Sequence, residues 1–262
     1  MIRLTGRTRA TVISLCIGAL CVPVAHAADI DPAADRILKS MSEYLGNAKA
    51  FSMNADIDFE VVLRDGQKLQ LSASAEAAVQ RPNKLHIHRR GLIADADVVF
   101  DGEMLTLNGR DLNVYAQTPV SGTIDDAILA YELETGVPAP GGDLLFADPY
   151  QRLSEGVKSS SYIGTTYVDG VECHHLAFRE DEVDWQIWIQ SGDQPLPMKY
   201  VITTKWHTAA PQYELRLRDW NTSPQISAAK FDFLPPDGAV RLDDMALNEL
   251  GGFSTAAGGQ GQ

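Results

Sequence analysis

The chain has 262 residues, a formal net charge of −13 at pH 7 and a sequence pI of about 4.8. A protein this acidic is repelled by phosphate backbones and by anionic lipid headgroups, which excludes nucleic-acid binding and weakens the case for docking on a membrane surface. Its length fits one large domain or two small ones. Because no Pro/Gly/Ser-rich linker or internal repeat divides the sequence, we expect one domain.

Residues 1–27 have the composition of a secretory signal. Three arginines within the first nine residues form a basic region, and an apolar run follows from residue 10 to about residue 22. Ala25-His26-Ala27 then has the small-x-small form of a signal-peptidase site. We therefore predict a signal peptide that is cleaved after Ala27, and a mature protein that is exported and soluble. A retained anchor is the alternative, but the apolar run is shorter than the roughly 20 residues of a membrane-spanning helix.

Cleavage would leave Cys173 as the sole cysteine, because Cys16 and Cys21 lie in the signal. No intramolecular disulfide is then possible. The net charge would become three units more negative, since the signal carries three arginines and no acidic residue. A lone thiol in an oxidising compartment is either buried and inert or a reactive group.

The segment after the signal predicts a helix. It has a proline near its start at Pro32, an apolar face that includes Leu38 and Leu45, and a Gly-Asn pair at residues 46–47 that ends it.

From residue 51 onward, apolar side chains alternate with polar ones. All odd positions from Phe51 to Leu63 are apolar, and after a turn at residues 64–67 the odd positions from Leu69 to Val79 continue the pattern. This period of two predicts two long strands joined by a tight hairpin. Further strands are predicted at residues 84–90, 96–102, 103–109, 111–117, 160–168, 171–180, 183–190, 198–206, 212–220 and 229–235. Because strand follows strand with short turns, we expect one large, curved antiparallel sheet.

Residues 123–153, which we call the mid-chain segment, interrupt the strands. Thr123 can cap a helix that has two aspartates in its first turn, and Asp148-Pro149 can open a second, shorter helix. A run of Gly and Pro at residues 136–142 separates the two helices. The fold class is therefore α+β, with helices that must bury their apolar faces against the apolar face of the sheet.

The C-terminal residues 247–262 are predicted to be disordered. Most of this tail is Gly-rich and lacks the apolar content needed to pack. The folded domain is then expected to span residues 28–246.

The run Cys173-His174-His175 raises the question of a metal site or a nucleophile with its base. On a strand, Cys173 and His175 point to one face and His174 to the other, so the three side chains cannot converge on one atom. A zinc site needs three or four ligands. The remaining histidines include His86 and His88, which are expected on a solvated polar face. We therefore favour a structural strand, and expect no metal and no cofactor.

Common catalytic signatures are also absent from the sequence. It contains no G-x-S-x-G elbow, no H-E-x-x-H helix, no phosphate-binding loop and no G-x-G-x-x-G turn. The prediction is a protein that is not an enzyme and has no catalytic residues.

Part of the sequence resembles a known family. The run from Val168 to Thr204, with the stretches TIDDAILAYEL and LLFADPY upstream, is similar to a family of predicted bacterial periplasmic proteins that is known as a domain of unknown function. The resemblance covers roughly residues 30–243. Relatives of that family are similar in fold to the lipoprotein carriers LolA and LolB, and the F-x-F-x-P-P-x-G pattern from Phe231 to Gly238 points the same way.

This resemblance implies a periplasmic protein with a single large curved antiparallel sheet. The sheet would be an unclosed, LolA/LolB-like half-barrel of about eleven strands, with an N-terminal helix and a mid-chain helical lid over an apolar hollow. In the carriers an arginine of the barrel holds the lid shut, and no arginine of this sequence is matched to it.

The expected function is that of a monomeric binding or carrier protein. Its partner would be an apolar ligand, such as a lipid or an acyl chain, or a lipidated protein, with no stable insertion in the membrane. The residues expected to line the cavity are Ile124, Ile128, Tyr131, Leu144, Phe146, Trp185 and Tyr200. Two alternatives stay open. One is an envelope hydrolase or redox protein that uses Cys173 with a histidine, and the other is a non-catalytic structural or regulatory envelope protein with a filled core.

Overall fold

The computed structural model describes residues 29–243, so the predicted signal peptide (1–27) and the predicted tail (247–262) lie outside the described residues. The described part contains three α-helices, two short 3₁₀ turns and twelve strands. The helices are α1 (Pro32–Asn47), α2 (Ile124–Thr135) and α3 (Pro149–Ser154), and the 3₁₀ turns are Gly142–Leu145 and Ala228–Lys230. The strands are β1 (Ala50–Val62), β2 (Lys68–Gln80), β3 (Lys84–Gly91), β4 (Asp95–Phe100), β5 (Met104–Gly109), β6 (Val114–Pro119), β7 (Ser159–Val168), β8 (Val171–Arg179), β9 (Val183–Gln190), β10 (Pro197–Thr204), β11 (Gln212–Asn221) and β12 (Val240–Arg241).

All twelve strands belong to one sheet, in the order β12-β6-β5-β4-β3-β2-β1-β11-β10-β9-β8-β7. Neighbouring strands are antiparallel throughout, except that the two-residue β12 runs parallel to β6. The sheet is open, because β12 and β7 stand at its opposite ends. This arrangement confirms the predicted α+β fold with a single unclosed antiparallel sheet.

The alternation predicted for β1 sets the two faces of the sheet. Its odd residues from Phe51 to Phe59 are buried, whereas the even residues between them are at least partly exposed. We call the face that carries these odd residues the inner face. Both helical regions pack on it, because their buried side chains belong to the same apolar core as the odd residues of β1.

The connection between β6 and β7 determines where the mid-chain segment lies. β6 is next to one end of the sheet and β7 is at the other end. The chain must therefore cross the whole sheet between them, and it does so over the inner face through α2, the first 3₁₀ turn and α3. A capping box between Thr123 and Asp126 begins α2, and Gly136, with φ of 67°, ends it in the left-handed conformation that glycine adopts most easily.

Helix α1 covers a different part of the inner face. The Asp31 carboxylate accepts a hydrogen bond from the Ala33 amide at 2.8 Å and so caps the helix. The buried side chains of Leu38, Met41 and Leu45 face the core, and α1 contacts α3 and strands β7, β8 and β9. The inner face is thus shared between α1 with α3 at the β7 end and α2 at the other end.

The predicted strand at residues 229–235 is wrong. The chain forms a 3₁₀ turn at Ala228–Lys230 and then an irregular stretch, and the strand forms later, at β12. The Pro235-Pro236 pair has no N–H groups to donate to a ladder, which explains why the apolar alternation does not give a strand. Phe231 is nevertheless only 1% exposed, and the Phe233 ring lies 5.2 Å from that of Tyr115.

Residues at the two ends of the described chain lie along the two ends of the sheet. At the β7 end, the Asp29 amide donates to the Lys158 carbonyl and the Ser160 amide donates to the Asp29 carbonyl, both at 3.0 Å. At the other end, the Val240 amide donates to the Asn113 carbonyl and the Leu242 amide donates to the Tyr115 carbonyl.

We expect Phe231→Ala to lower the free energy of unfolding by about 3–5 kcal/mol, because it removes a fully buried ring. Leu234→Ala is the control, since Leu234 is 82% exposed and should change stability by about 0.5 kcal/mol or less. Urea unfolding followed by tryptophan fluorescence measures both. Equal losses in the two variants would show that Phe231 does not anchor the C-terminal residues to the sheet.

Candidate ligand cavity

A cavity of about 210 Å³ lies between the inner face and the mid-chain segment. Its floor is formed by β1 to β5 and β11, and its roof by α2 and residues 137–145. It is larger than the ~150 Å³ engineered cavity that holds benzene in another protein. Nearly all the side chains around it are apolar, so it is suited to an apolar group.

A row across the sheet in which four of six residues are alanine or glycine explains the space. Strand pairing places one residue of each strand in register, in the order Leu217, Ala55, Ala75, Arg89, Ala96 and Gly109 from β11 to β5. A second row, nearer the other end of these strands, consists of large side chains: Phe51, Val79, Leu85, Phe100 and Leu105. Protein interiors are normally filled to close packing. The alanines of the first row, which we call the alanine row, therefore leave a trough, and the large row bounds it on one side.

The roof approaches the sheet closely at one glycine. A Cβ atom added to Gly141 would lie 2.4 Å from Cδ1 of Leu215 on β11, and the φ of Gly141 is 84°. The positive φ favours glycine at this position, and a larger residue would also have to displace the end of the Leu215 side chain. The Gly and Pro run of the mid-chain segment thus lies directly on the wall of the cavity.

Three of the residues predicted to line the cavity are found in its wall, and two more lie in the core without being part of the lining. Ile128, Tyr131 and Leu144 line it. Ile124 and Phe146 are buried in the same apolar core, 0% and 9% exposed. That any of these side chains contacts a ligand stays a prediction.

Trp185 and Tyr200 lie elsewhere. They line a separate, more polar pocket with Asp143, Arg152 and Glu180. The Trp185 ring stacks on Phe178 at 3.9 Å and meets the edge of Tyr200 at 5.7 Å. The physical reason is the strand order: the alanine row ends on β11, β10 and β9 lie beyond that strand, and their part of the inner face lies toward α1 and α3.

The second pocket is lined by polar groups of the mid-chain segment and of the sheet, and the hydrogen bonds among them each stay within one of these two parts. Trp185 Nε1 donates to a carboxylate oxygen of Glu180 at 2.7 Å, and Arg152 Nε donates to Asp143 at 3.2 Å. Burial raises the pKa of Asp143 and of Glu180 above the ordinary values for these carboxyls. Its polar lining makes it less suited than the cavity to an apolar group.

Arg81, in the turn between β2 and β3, ties the sheet to the mid-chain segment. Its Nη1 donates to the Leu145 carbonyl at 2.8 Å and its Nη2 donates to the Phe146 carbonyl at 2.9 Å. Asp125 on α2 accepts from the Ala147 amide at 2.9 Å, so two contacts fix the same turn. The sequence reasoning missed Arg81, because a turn arginine carries no pattern that reveals a backbone partner 64 residues away.

Arg89, on β3, projects from the inner face into the cavity. It is 8% exposed, and its guanidinium lies 5.4 Å from the centre of the Phe59 ring. Burial lowers the pKa of Arg89, while the neighbouring phenols of Tyr213 and Tyr131 act in the opposite direction. The sequence did carry a signal for it, since Arg89 follows Leu85 and Ile87 at the odd positions of its strand.

The Cys173-His174-His175 run behaves as the strand parity predicts. Cys173 is fully buried and its thiol donates to the Val171 carbonyl at 3.4 Å. His174 is within 3.2 Å of the Tyr162 hydroxyl, whereas His175 bonds to Gln186 at 2.9 Å and stacks on Trp188. The three side chains therefore have separate partners. Burial raises the pKa of Cys173 to about 11, so the thiol is protonated at neutral pH.

The prediction that His86 lies on a solvated face is wrong. His86 is 8% exposed and its Nε2 lies 3.3 Å from the Asp97 carboxylate. Asp97 also accepts hydrogen bonds from Asn108 and Arg110, and the resulting network lets the imidazole be buried with a partner. Within residues 29–243, no group of three or more His, Cys, Asp or Glu side chains is placed to hold a metal ion.

Comparisons with known proteins give a family. The family model described as "Predicted periplasmic protein (DUF2092)" matches residues 34–243. No curated protein matches the chain. In the described part of the chain, none of the helices is both long and apolar enough to cross a membrane.

Several solved structures are similar to this one. An uncharacterized conserved protein from Thermus thermophilus shares 11% identity, with a TM-score of 0.46 over 80% of this chain and 98% of that one. The Mycobacterium tuberculosis lipoprotein LppX shares 11% identity, with a TM-score of 0.39 over 75% and 100%. A LolA superfamily protein from Nitrosomonas europaea shares 12% identity, with a TM-score of 0.38 over 76% and 97%.

We expect Arg81→Met to loosen the mid-chain segment without unfolding the sheet. Losing two hydrogen bonds from a charged donor should favour local opening by about 2 kcal/mol, or roughly thirtyfold in amide hydrogen exchange. The exchange of Leu144 and Ala147 measures this effect. Arg110→Met, which breaks a contact on the opposite face, should leave these two amides unchanged. Uniformly faster exchange across the whole protein in Arg81→Met would contradict the assignment of a local tie.

We expect Cys173→Ser to cost about 1–3 kcal/mol of stability, because it buries a hydroxyl in place of a thiol. In the native protein at pH 8, only on the order of 0.1% of the thiol is ionised, since the pKa is about 11. Ellman's reagent should therefore react with Cys173 only after unfolding in urea. Fast reaction with the folded protein, or a stoichiometric metal lost in the variant, would contradict this expectation.

Proposed function

This chain belongs to the DUF2092 family of predicted periplasmic proteins, and we propose that it is a periplasmic carrier that holds the acyl chain of a lipid or of a lipidated partner in the cavity under its mid-chain segment. In the proposed mature form, cleavage after Ala27 leaves one folded domain of residues 28–246, which acts as a monomer.

The observation that carries this proposal is the apolar trough along the alanine row. A sheet face that only needed a filled core would carry large side chains throughout, as the Phe51 row does. Each methylene transferred from water into the trough contributes about 0.8 kcal/mol. About eight methylenes would give about 6 kcal/mol before the costs of association and ordering are subtracted, which is enough for reversible binding.

The roof of the cavity is built to move. The Gly and Pro run at residues 136–142 lies between two helices that are fixed by their own caps. Arg81 holds the roof through backbone carbonyls, which bond to water as readily once they are released. A ligand can therefore enter when the mid-chain segment swings away from the sheet, without breaking any strand pairing.

The alternative in which Cys173 acts as a nucleophile has less support. Its thiol is buried, its pKa is raised to about 11, and the neighbouring His174 and His175 are bonded to other residues. The remaining alternative, a structural protein with a filled core, differs from a carrier in one measurable property, which is ligand uptake.

We expect an environment-sensitive fluorescent fatty acid to bind the mature protein, and Ala75→Leu to abolish that binding while the melting temperature stays equal or rises. The added methyl groups would fill the trough at its centre. Ser74→Leu is the matched control, because Ser74 is the preceding residue on the exposed outer face.

In the roof, Ile128→Asp should weaken binding of the fatty acid more than it lowers the melting temperature. Leu133→Asp, at an 81% exposed position on the same helix, should change neither.

The structural alternative gives a different pattern in the same experiment. If the wild-type protein takes up no probe, Ala75→Leu merely stabilises it and Ile128→Asp unfolds it, then the cavity is a packing defect and the carrier proposal fails.

A further inference from the structure

The second pocket, which lies apart from the cavity, collects negative charge. It has a volume of about 280 Å³, and its lining contains the carboxylates of Asp143, Glu155 and Glu180 but only one cation, Arg152. Glu155 is exposed to solvent, whereas the other two carboxylates are half-buried. Burial raises the pKa of Asp143 and of Glu180, and the Asp143 charge raises the pKa of Glu180 further. The space that these two carboxylates share therefore favours a positive charge.

The two carboxylates belong to different parts of the structure. Asp143 lies in the 3₁₀ turn of the mid-chain segment, and Glu180 lies in the turn between β8 and β9. Asp143 accepts from Arg152 on α3, and Glu180 accepts from Trp185 on β9. Within residues 29–243, no hydrogen bond or ion pair joins the mid-chain residues of this pocket to its sheet residues. A positively charged group between the two carboxylates would supply that link.

A buried hydroxyl faces the same space. Tyr200 on β10 lines the pocket and is only 3% exposed, yet its hydroxyl has no hydrogen-bond partner among the described residues. Burial raises the pKa of Tyr200 well above its ordinary value, and the charges of Asp143 and Glu180 raise it further, so the phenol lies near both carboxylates. A polar group buried to this extent is normally hydrogen-bonded. The hydroxyl is therefore available to a molecule in the pocket.

These three groups match a primary ammonium. An ammonium has three N–H donors and no acceptor, and the pocket offers it oxygen acceptors on Asp143, Glu180 and Tyr200. A hydrogen bond between a charged donor and a carboxylate is roughly twice as strong as a neutral one. The apolar side chains of Val183 and Ile202 complete the lining and suit a short alkyl chain. A metal ion fits less well, because no three His, Cys, Asp or Glu side chains of the described chain are placed to hold one.

We propose that the second pocket binds a primary alkylammonium group, with Asp143, Glu180 and Tyr200 as its hydrogen-bond acceptors. A free amine and the ethanolamine headgroup of a phospholipid share this chemistry. Leu144 and Leu145 directly follow Asp143 and line the cavity, so the bound ammonium would tie the roof of the cavity to the sheet. The site is separate from the cavity and does not rest on the proposed carrier function.

Four soluble probes test the chemistry of the ligand: n-butylamine, glycerophosphoethanolamine, tetramethylammonium and n-butanol. Titrations of the mature protein, followed by the amide NMR shifts of the pocket residues, give the four affinities. We expect n-butylamine to bind about tenfold or more tightly than tetramethylammonium, which has the charge but no N–H donor, and than n-butanol, which has no charge. The comparison with tetramethylammonium separates the site from the general attraction of an acidic protein for cations. Tighter binding of glycerophosphoethanolamine than of n-butylamine identifies a lipid headgroup as the source, and weaker binding identifies a free amine.

Variants assign the binding to the three acceptors. Glu180→Gln and Asp143→Asn should each weaken n-butylamine binding by about tenfold, because each removes a charged acceptor. Asp181→Asn is the matched control, since Asp181 is the next residue in the same turn and its side chain is 79% exposed. It should change the affinity by about twofold or less. Tyr200→Phe should weaken binding by roughly threefold to tenfold and melt at the wild-type temperature, because the hydroxyl has no partner among the described residues.

Amide hydrogen exchange tests the link to the roof. The Leu144 amide donates to the Gly141 carbonyl at 3.2 Å, so its exchange reports opening of this turn. With n-butylamine at about ten times its dissociation constant, this exchange should slow by roughly tenfold, since the ligand binds only the closed arrangement. Glu180→Gln at the same concentration should show little slowing. Unchanged exchange in the wild-type protein would overturn the link to the roof.

The outcomes separate this site from the carrier proposal. Equal affinities for n-butylamine and tetramethylammonium would overturn the site, as would full affinity in Glu180→Gln and Tyr200→Phe, or no saturable binding of any amine. None of these results bears on the cavity, and the fluorescent fatty acid should bind Glu180→Gln as it binds the wild type. If the two carboxylate variants did not fold, the probe ratios of the wild type and the affinity of Tyr200→Phe would still decide the matter.

Discussion

The pairing of β1 with β11 is the interaction on which the rest of the structure depends. Because β1 takes β2 on one side and β11 on the other, the two halves of the chain become one continuous sheet, and β6 and β7 are left near its opposite ends. The connection between them has to cross the inner face. The strand order therefore places the mid-chain segment over the inner face. The small side chains beneath it leave a cavity there instead of a filled core.

Most of the fold could be predicted from the sequence, since alternation reports directly which face of a strand is buried. Phe51 to Leu63 reveal the inner face in this way, and the same parity separates His174 from its two neighbours. Applied to β3, it also places Arg89 inside with Leu85 and Ile87. The alternation around Phe231 wrongly predicts a strand, because Pro235 and Pro236 have no N–H groups for the hydrogen bonds between strands.

The site was harder to predict, because it depends on which strands become neighbours. Trp185 and Tyr200 are inner-face residues, as their parity indicates, yet the strand order puts them beyond β11 and away from the alanine row. Arg81 reaches carbonyls that are distant in sequence, and such contacts leave no local trace. The two arginines also differ in position: Arg81 binds the backbone of the mid-chain segment, while Arg89 lines the cavity. The protein thus combines an acidic overall charge with a positive charge inside its cavity.

An open half-barrel has a weakness that a closed barrel lacks, which is two rows of backbone groups ready to pair with another chain. Here the bridge of Asp29 to β7 and the short β12 beside β6 occupy part of each row. These first and last described residues of the domain thus cover part of each sheet edge, which limits edge-to-edge aggregation and strand exchange between copies. Recombinant versions trimmed inside residue 29 or residue 242, or carrying a rigid fusion joined directly at either point, lose that protection and are exposed to amyloid-like association even though the core around the cavity is unchanged.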